Sequence, residues 1–285
     1  MEIDIGGRLW SVGPERPRVM GIVNATPDSF FEGSRRQSDD EIARAVEQAL
    51  DEGADMLDVG GYSSRPGADD VPESEEFARL DHALRLVREV AGADFPLSVD
   101  TFRSGVVRRL YDRYGAFVVN DISAGELDPQ MLRTVGQLRL PYIAMHMRGT
   151  PQTMTSQIDY PAEGGGVLGA VLRYFVQKVA QSREAGIVDL ILDPGFGFAK
   201  SVSQNFELLR RMNELSVFGL PILAGLSRKS LIWRTLGVTP DEALNGTSVL
   251  NAEALRQGAA ILRVHDVREA VETVRLVRAC SGRAE

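Results

Sequence analysis

Only 1 cysteine stands in the 285 residues, at Cys280 near the C-terminus. That excludes an intrachain disulfide and any thiolate metal cluster, and it suits a reducing cytoplasm. Histidine is almost as scarce: His82, His146 and His265 are the 3 in the chain, and they show no zinc-site spacing. Nor does any Ser/His/Asp order suggest acyl transfer. Positive charge is in deficit, with 32 Lys+Arg against 40 Asp+Glu and a net charge of -8, so the basic footprint of a nucleic-acid binder is missing. An anionic substrate would therefore have to meet a local cationic cluster. No uninterrupted apolar run approaches the ~20 residues of a membrane span. The start, Met1-Glu2-Ile3-Asp4-Ile5, carries acids where a signal peptide would carry Lys or Arg. These absences lead us to expect a cytoplasmic protein with neither nucleic-acid nor membrane partners.

What remains is ordinary globular material, 44% hydrophobic and 25% charged, enough for a sizeable core. Residues 2–13 alternate apolar and polar around Gly6-Gly7, which predicts a hairpin able to close the bottom of a barrel. Short apolar runs follow at 18–24, 55–61, 96–101, 117–122, 141–147, 188–193, 221–227 and 259–264. Between them lie amphipathic helix patterns, clearest at Glu41–Glu52, Ser74–Val90, Gly166–Ala185 and Val267–Cys280. The runs recur roughly every 35 residues, close to a βαβ unit of about 30 or more. Length and alternation together predict an α/β fold, a (β/α)8 TIM barrel with an N-terminal β-hairpin, as a single domain over residues 1–285. The Gly164-Gly165-Gly166 run is expected to be a loop before the fifth helix.

Barrel enzymes build their sites where strands end. Here the ends read Asn24, Asp58, Asp100-Thr101, Asn120-Asp121, His146, Asp193, Ser227-Arg228-Lys229 and Arg263-His265-Asp266. Asp58 and Asp121 also suit loop capping, His146 suits a satisfied barrel histidine, and His82, in a helix pattern, suits the surface. Three sets stand out. Arg65, Arg263 and His265, with Asn24, are donors fit for a phosphate-type group, because a guanidinium grips phosphate oxygens as a fork. Asp100, Asn120 and Asp193 offer acceptors and an amide to a ring carrying amino and imino groups. Lys229 can donate to a ring carbonyl or imine, and Ser230 opens a helix whose amino end favours a carboxylate. Around Asp193, the run Leu190–Lys200 stops an apolar strand at a carboxylate, then supplies Gly195, Gly197, Phe196 and Phe198. A hard ion such as Mg2+, held by substrate phosphates and a side-chain carbonyl such as that of Asn24, fits the same end.

These blocks resemble a known family. Met20–Phe30, and Asp58-Val59-Gly60-Gly61 running into Ser63-Ser64-Arg65-Pro66-Gly67, closely resemble the two signature motifs of the dihydropteroate synthases. Similar blocks follow at Ser98–Thr101, Asn120–Ile122, Asp193–Phe198, Ser227–Ser230 and Arg263–Asp266, in family order over residues 18–279. The resemblance implies a pterin-binding (β/α)8 barrel that joins 6-hydroxymethyl-7,8-dihydropterin pyrophosphate to 4-aminobenzoate in folate synthesis, the step that sulfonamides block. It implies that Asp193, Asn120 and Asp100 read the pterin edge, that Lys229 contacts the ring, and that Asn24 helps hold Mg2+. It further implies that Arg65, Arg263 and His265 bind the diphosphate, and that Ser64, Pro66, Phe198, Lys229 and Ser230 surround the aminobenzoate. Asp100, Lys229, Arg263 and His265 would then carry the catalysis, electrostatically and without a general base. The family pattern also implies loops at 25–38 and 62–70 that close over the ring, and a homodimer formed through outer helices. Tyr62, Ser64, Glu32 and Ala199 depart from the family's usual Glu, Thr, Asp and Gly. Two rivals share parts of this pattern: a lyase forming a Schiff base on Lys229, and a methyltetrahydrofolate-dependent methyl transferase. The latter would not need Arg65, Arg263 and His265 together. A third reading is a paralogue that binds pterin without turnover.

Overall fold

A computed structural model describes residues 1–25, 35–62 and 71–282. The chain opens with an antiparallel hairpin, β1 (Glu2–Ile5) and β2 (Arg8–Ser11), in which Ile3 pairs with Trp10. Strands and helices then alternate: β3 (Arg18–Asn24), α1 (Arg35–Asp51), β4 (Met56–Gly60), α2 (Glu73–Ala91), β5 (Leu97–Asp100), α3 (Ser104–Tyr114), β6 (Val118–Asp121) and α4 (Met131–Leu138). After them come β7 (Tyr142–Met145), α5 (Gly166–Glu184), β8 (Leu190–Asp193), α6 (Val202–Arg210), β9 (Leu223–Ala224), α7 (Ser230–Leu236), α8 (Leu244–Arg256), β10 (Ile261–Val264) and α9 (Val267–Cys280).

Strands β3 to β10 form one 8-stranded parallel sheet in the order β8-β7-β6-β5-β4-β3-β10-β9. The sheet closes on itself where Leu192 of β8 bridges Ile222, just before β9, and the Leu192 amide donates to the Pro221 carbonyl at 2.9 Å. This is the expected (β/α)8 barrel. Most strand residues are buried on both faces, as parallel strands covered by helices must be. The outward set packs under the helices: Leu57, Val59, Val99, Val119, Leu192 and Leu262 share one cluster with Leu80, Val107, Phe175 and Val274.

The inward set explains where the chemistry lies. Met20, Met56, Val118, Ile143, Ile191, Leu223 and Ile261 make a separate cluster with Ile3, Trp10 and Val12 of the hairpin region. The hairpin is thus the floor of the barrel, as its pattern suggested. Side chains two positions apart on a strand share a face. Two residues above Met56, Val118, Ile191 and Ile261 stand Asp58, Asn120, Asp193 and Arg263. An apolar floor therefore places four polar side chains in the next layer up, at the carboxyl end.

The predicted strand runs all hold strands, most of them trimmed at one or both ends, and β3 and α9 match their expected bounds. The run 221–227 keeps only Leu223–Ala224 as strand, because Gly225 and the turn that brings the Lys229 amide onto the Leu226 carbonyl end the ladder. Of the glycine run expected as a loop before the fifth helix, only Gly165 is a turn, because Gly164 closes a short 3-10 helix and Gly166 opens α5. Among the described residues no helix is long and apolar enough to cross a membrane.

Candidate active site

The upper layer is organised around a buried carboxylate. Asp58, fully buried in β4, accepts from Arg263 Nε at 2.6 Å and from Asn120 Nδ2 at 3.0 Å through the same oxygen, Oδ2. Its Oδ1 is buried without a hydrogen-bond partner. Arg263 also donates to Asp100 Oδ2 at 2.8 Å. One guanidinium therefore ties β10 to β4 and β5, while Asp100 and Asn120 face each other in register across β5 and β6. Asp58 does not cap a loop, as its position allowed; it holds Arg263 and Asn120 of its own layer. Asp121 does cap one, accepting from the Ser123 and Gly125 amides at 2.8 Å each and from the Tyr142 hydroxyl at 2.7 Å.

This arrangement divides the sequence's sets differently. Arg263, grouped in the sequence with the anion donors, stands instead between Asp58 and Asp100, the second of which was expected to read a ring. Burial works against its charge, but Asp58 and Asp100 hold the guanidinium above its ordinary range. Burial pushes Asp100 up to about 7, opposed by Arg263 and reinforced by Asp58. Such a carboxyl changes charge near neutral pH, which marks Asp100 as a candidate functional group.

Asp193 ends β8 and is 6% exposed. Its Oδ1 accepts from the Gly195 amide at 2.7 Å, and its pKa is raised by burial against the pull of Lys229. Gly195 is obligatory there: at φ +70°, a Cβ would lie 2.0 Å from the His146 carbonyl oxygen. Lys229 lies across the same loop. Its ammonium donates to the Phe196 carbonyl, sits 4.9 Å from the centre of the Phe198 ring, and is drawn down to about 8 by burial, with Asp193 opposing. Ser230 begins α7, as expected.

His265 is exposed after β10 and its Nδ1 meets Ser227 Oγ at 3.0 Å, while neighbouring Arg228 pairs with Asp266 and turns away. Asn24 is exposed at the end of β3. Ser64, Arg65 and Pro66, together with Glu32 and the Thr26–Phe30 part of the first motif, lie outside the described residues. Among the described residues no group of three or more His, Cys, Asp or Glu side chains is placed to hold a metal ion. His82, expected at the surface, is only partly exposed, with its Nε2 2.6 Å from Asp39.

Sequence reasoning missed the walls. Ile122, Met145, Met147, Met154 and Ala199 form an apolar cluster with Phe102, Leu127 and Phe198 packed against it, beside Asp193 and above β6 and β7. The Met145-His146-Met147 run was a usable signal, since its methionines lie in and just past a strand ending. Tyr62, one of the departures, packs edge-on to Phe102 at 5.1 Å, and its hydroxyl accepts from Gln152 at 3.1 Å. Lys200, the last residue of the Leu190–Lys200 run, is buried and its ammonium lies 3.0 Å from His146 Nδ1.

With this geometry in place, comparison with known proteins is informative. Residues 20–265 match the family described as pterin binding enzyme. The dihydropteroate synthase of Escherichia coli K12 is 40% identical over 272 residues, covering 94% of this chain and 93% of its own. The structure of Xanthomonas albilineans dihydropteroate synthase with 4-aminobenzoic acid superposes with a TM-score of 0.86 at 38% identity, covering 98% of each chain. The same enzyme in complex with 7,8-dihydropteroate superposes at 0.83 and 36% identity, covering 99% of each. An apolar floor, a polar layer above it and full-length likeness agree: the chain belongs to the pterin-binding enzymes, in the dihydropteroate synthase family.

Proposed function

We propose that the chain condenses 6-hydroxymethyl-7,8-dihydropterin pyrophosphate with 4-aminobenzoate, giving 7,8-dihydropteroate and pyrophosphate in folate synthesis. The observation that carries this reading is the polar layer of Asp58, Asp100, Asn120, Asp193 and Arg263 inside the barrel mouth, beside an apolar wall of Met145, Met147 and Ile122. A flat bicycle with amino and imino donors on one edge needs both. Asp193 keeps Oδ2 for those donors, and Asn120, held by one N–H, keeps its carbonyl and a second N–H. Lys229 would donate to the ring and Phe198 would flank the aminobenzoate.

Loss of diphosphate leaves positive charge on the ring and negative charge on the leaving group, and preorganised charges stabilise both. Asp100 faces the first. Arg65, Arg263 and His265 would bind the second. The aromatic amine is a competent nucleophile, so holding it against the exposed carbon supplies much of what remains and no general base is assigned. An all-protein metal cage does not fit the described residues, but a substrate-borne Mg2+ does, because that ion keeps most of its ligands as phosphate oxygens and water. Asn24 would contribute its side-chain oxygen. The ion would supply countercharge to the diphosphate.

Lys229 as a Schiff-base lysine is disfavoured by its surroundings, a carbonyl acceptor and an aromatic face beside Asp193. The cytoplasmic setting and a homodimer, in which the exposed Leu236 of α7 and Val249 of α8 offer apolar contact, belong to the same proposal, and light scattering on the purified chain should return twice the monomer mass. The deciding experiment is a pyrophosphate-release assay with dihydropterin pyrophosphate, with and without 4-aminobenzoate. Release that requires the amine and yields dihydropteroate is expected. Binding without turnover, or a borohydride-trapped adduct on Lys229, would overturn the reading.

A further inference from the structure

Lys200 has no place in the site described so far, yet it is 8% exposed and its charge is buried. Its Nζ lies 3.0 Å from His146 Nδ1, 2.8 Å from the Gly195 carbonyl and 3.0 Å from the Phe198 carbonyl. A longer approach to the His146 carbonyl, 3.4 Å, comes from the same atom. An ammonium has three N–H bonds and no lone pair, and here each has an acceptor. The proton assignment on His146 follows: Nδ1 accepts, so its hydrogen is on Nε2. Burial, with Lys200 close by, also pushes His146 well below its ordinary range, so the ring is neutral. Burial draws Lys200 down to about 7 while Asp193 opposes the fall.

The three acceptors bracket a single loop. Between β8 and α6, residues 194–199 turn through three left-handed positions, Gly195 at φ 70°, Gly197 at φ 82° and Ala199 at φ 49°. Such a path makes few backbone hydrogen bonds of its own. Side chains from below supply them: Lys200 gathers the carbonyls of 195 and 198, and buried Asn205 accepts from the Gly197 amide at 2.7 Å. On its other side the same loop fixes the Asp193 carboxylate through the Gly195 amide, offers the Phe196 carbonyl to Lys229, and carries the Phe198 ring.

We propose that Lys200 is a positioning residue for the pterin site, locking the 194–199 loop against His146 of the neighbouring strand so that Asp193, Lys229 and Phe198 meet the ring together. It acts through the loop and touches no substrate. The inference rests on the functional reading above. Because Asp193 would grip the ring equally in ground and transition states, loosening the loop should raise KM far more than it lowers kcat.

The test is steady-state kinetics on Lys200→Met, His146→Leu and His146→Gln, with folding checked by circular dichroism. Lys200→Met should raise KM for dihydropterin pyrophosphate at least tenfold and change kcat less than threefold. Glutamine at 146 keeps an acceptor for the ammonium and should stay within threefold of wild type, whereas leucine should raise KM more than that. A folded Lys200→Met with KM within twofold of wild type, or with kcat reduced and KM kept, would overturn the inference. If Lys200→Met does not fold, the His146 pair decides: equal effects of leucine and glutamine overturn it. A wild-type chain that neither binds nor turns over the pterin overturns the functional reading instead, so the two failures are separable.

Discussion

Asp58 shows how one buried side chain can set the behaviour of its neighbours. It shares Oδ2 between Arg263 and Asn120, and its charge raises Asp100, which burial has already lifted to about 7. Replacing Asp58 by Asn removes that repulsion and leaves Arg263 to Asp100 alone, and both changes favour the ionised Asp100. The sign is therefore fixed: Asp100 accepts from the ring more strongly when ionised, so pterin binding weakens as pH falls through its pKa, and in Asp58→Asn that acid limb should move to lower pH. Calorimetric pterin affinities between pH 5 and 9 would read it, and a limb that stays put or moves upward would count against the coupling. Asp58 was legible as a polar residue at a strand end, but its partners were not. A carboxylate that caps a loop and one that holds an arginine have the same letter in the sequence, and only the barrel's curvature, bringing β10 beside β3 and within reach of β4 and β5, tells them apart.

The N-terminal hairpin is the element whose role was read most directly. Its alternation put Ile3 and Trp10 on one face, and that face now covers the barrel floor with Met20, Met56 and Ile191. Trp10→Ala should cost about 3 kcal/mol, the low end for a large aromatic because Trp10 keeps 9% exposure, or roughly 6–12 °C in melting temperature. Pyrophosphate release measured well below that temperature should be nearly unchanged, since the floor lies a layer beneath Asp193 and Asn120; a large loss of activity in a folded variant would mean that the floor sets the site's geometry. The alternation of strands and helices was equally legible, because burial on both faces makes each barrel strand a continuous apolar run. The 194–199 loop was read only in part. Its glycines announced a turn, but the grip of Lys200 on His146 joins residues 54 positions apart, and no local pattern encodes that pairing.

Across the whole molecule, a chain of net charge -8 would bind a diphosphate ester through cations gathered locally at one end of the barrel. The described charges inside that mouth come close to cancelling, with Asp58, Asp100 and Asp193 set against Arg263, Lys229 and Lys200. The staves of this barrel are not equally well hooped. Between β8 and β9 a lone bridge, Leu192 to Ile222, does the work that three to five paired residues do between most other neighbours. Asp193 stands on one side of that seam and Lys229 just past the other, so a ring gripped by both would act as a stitch across it. Deuterium uptake should accordingly be quicker at residues 222–226 than at 57–59 in the empty protein, and should slow at the seam once pterin is added. Uptake there that ignores the ligand would mean that the ring does not span the gap, and that the barrel holds its weakest stave without help.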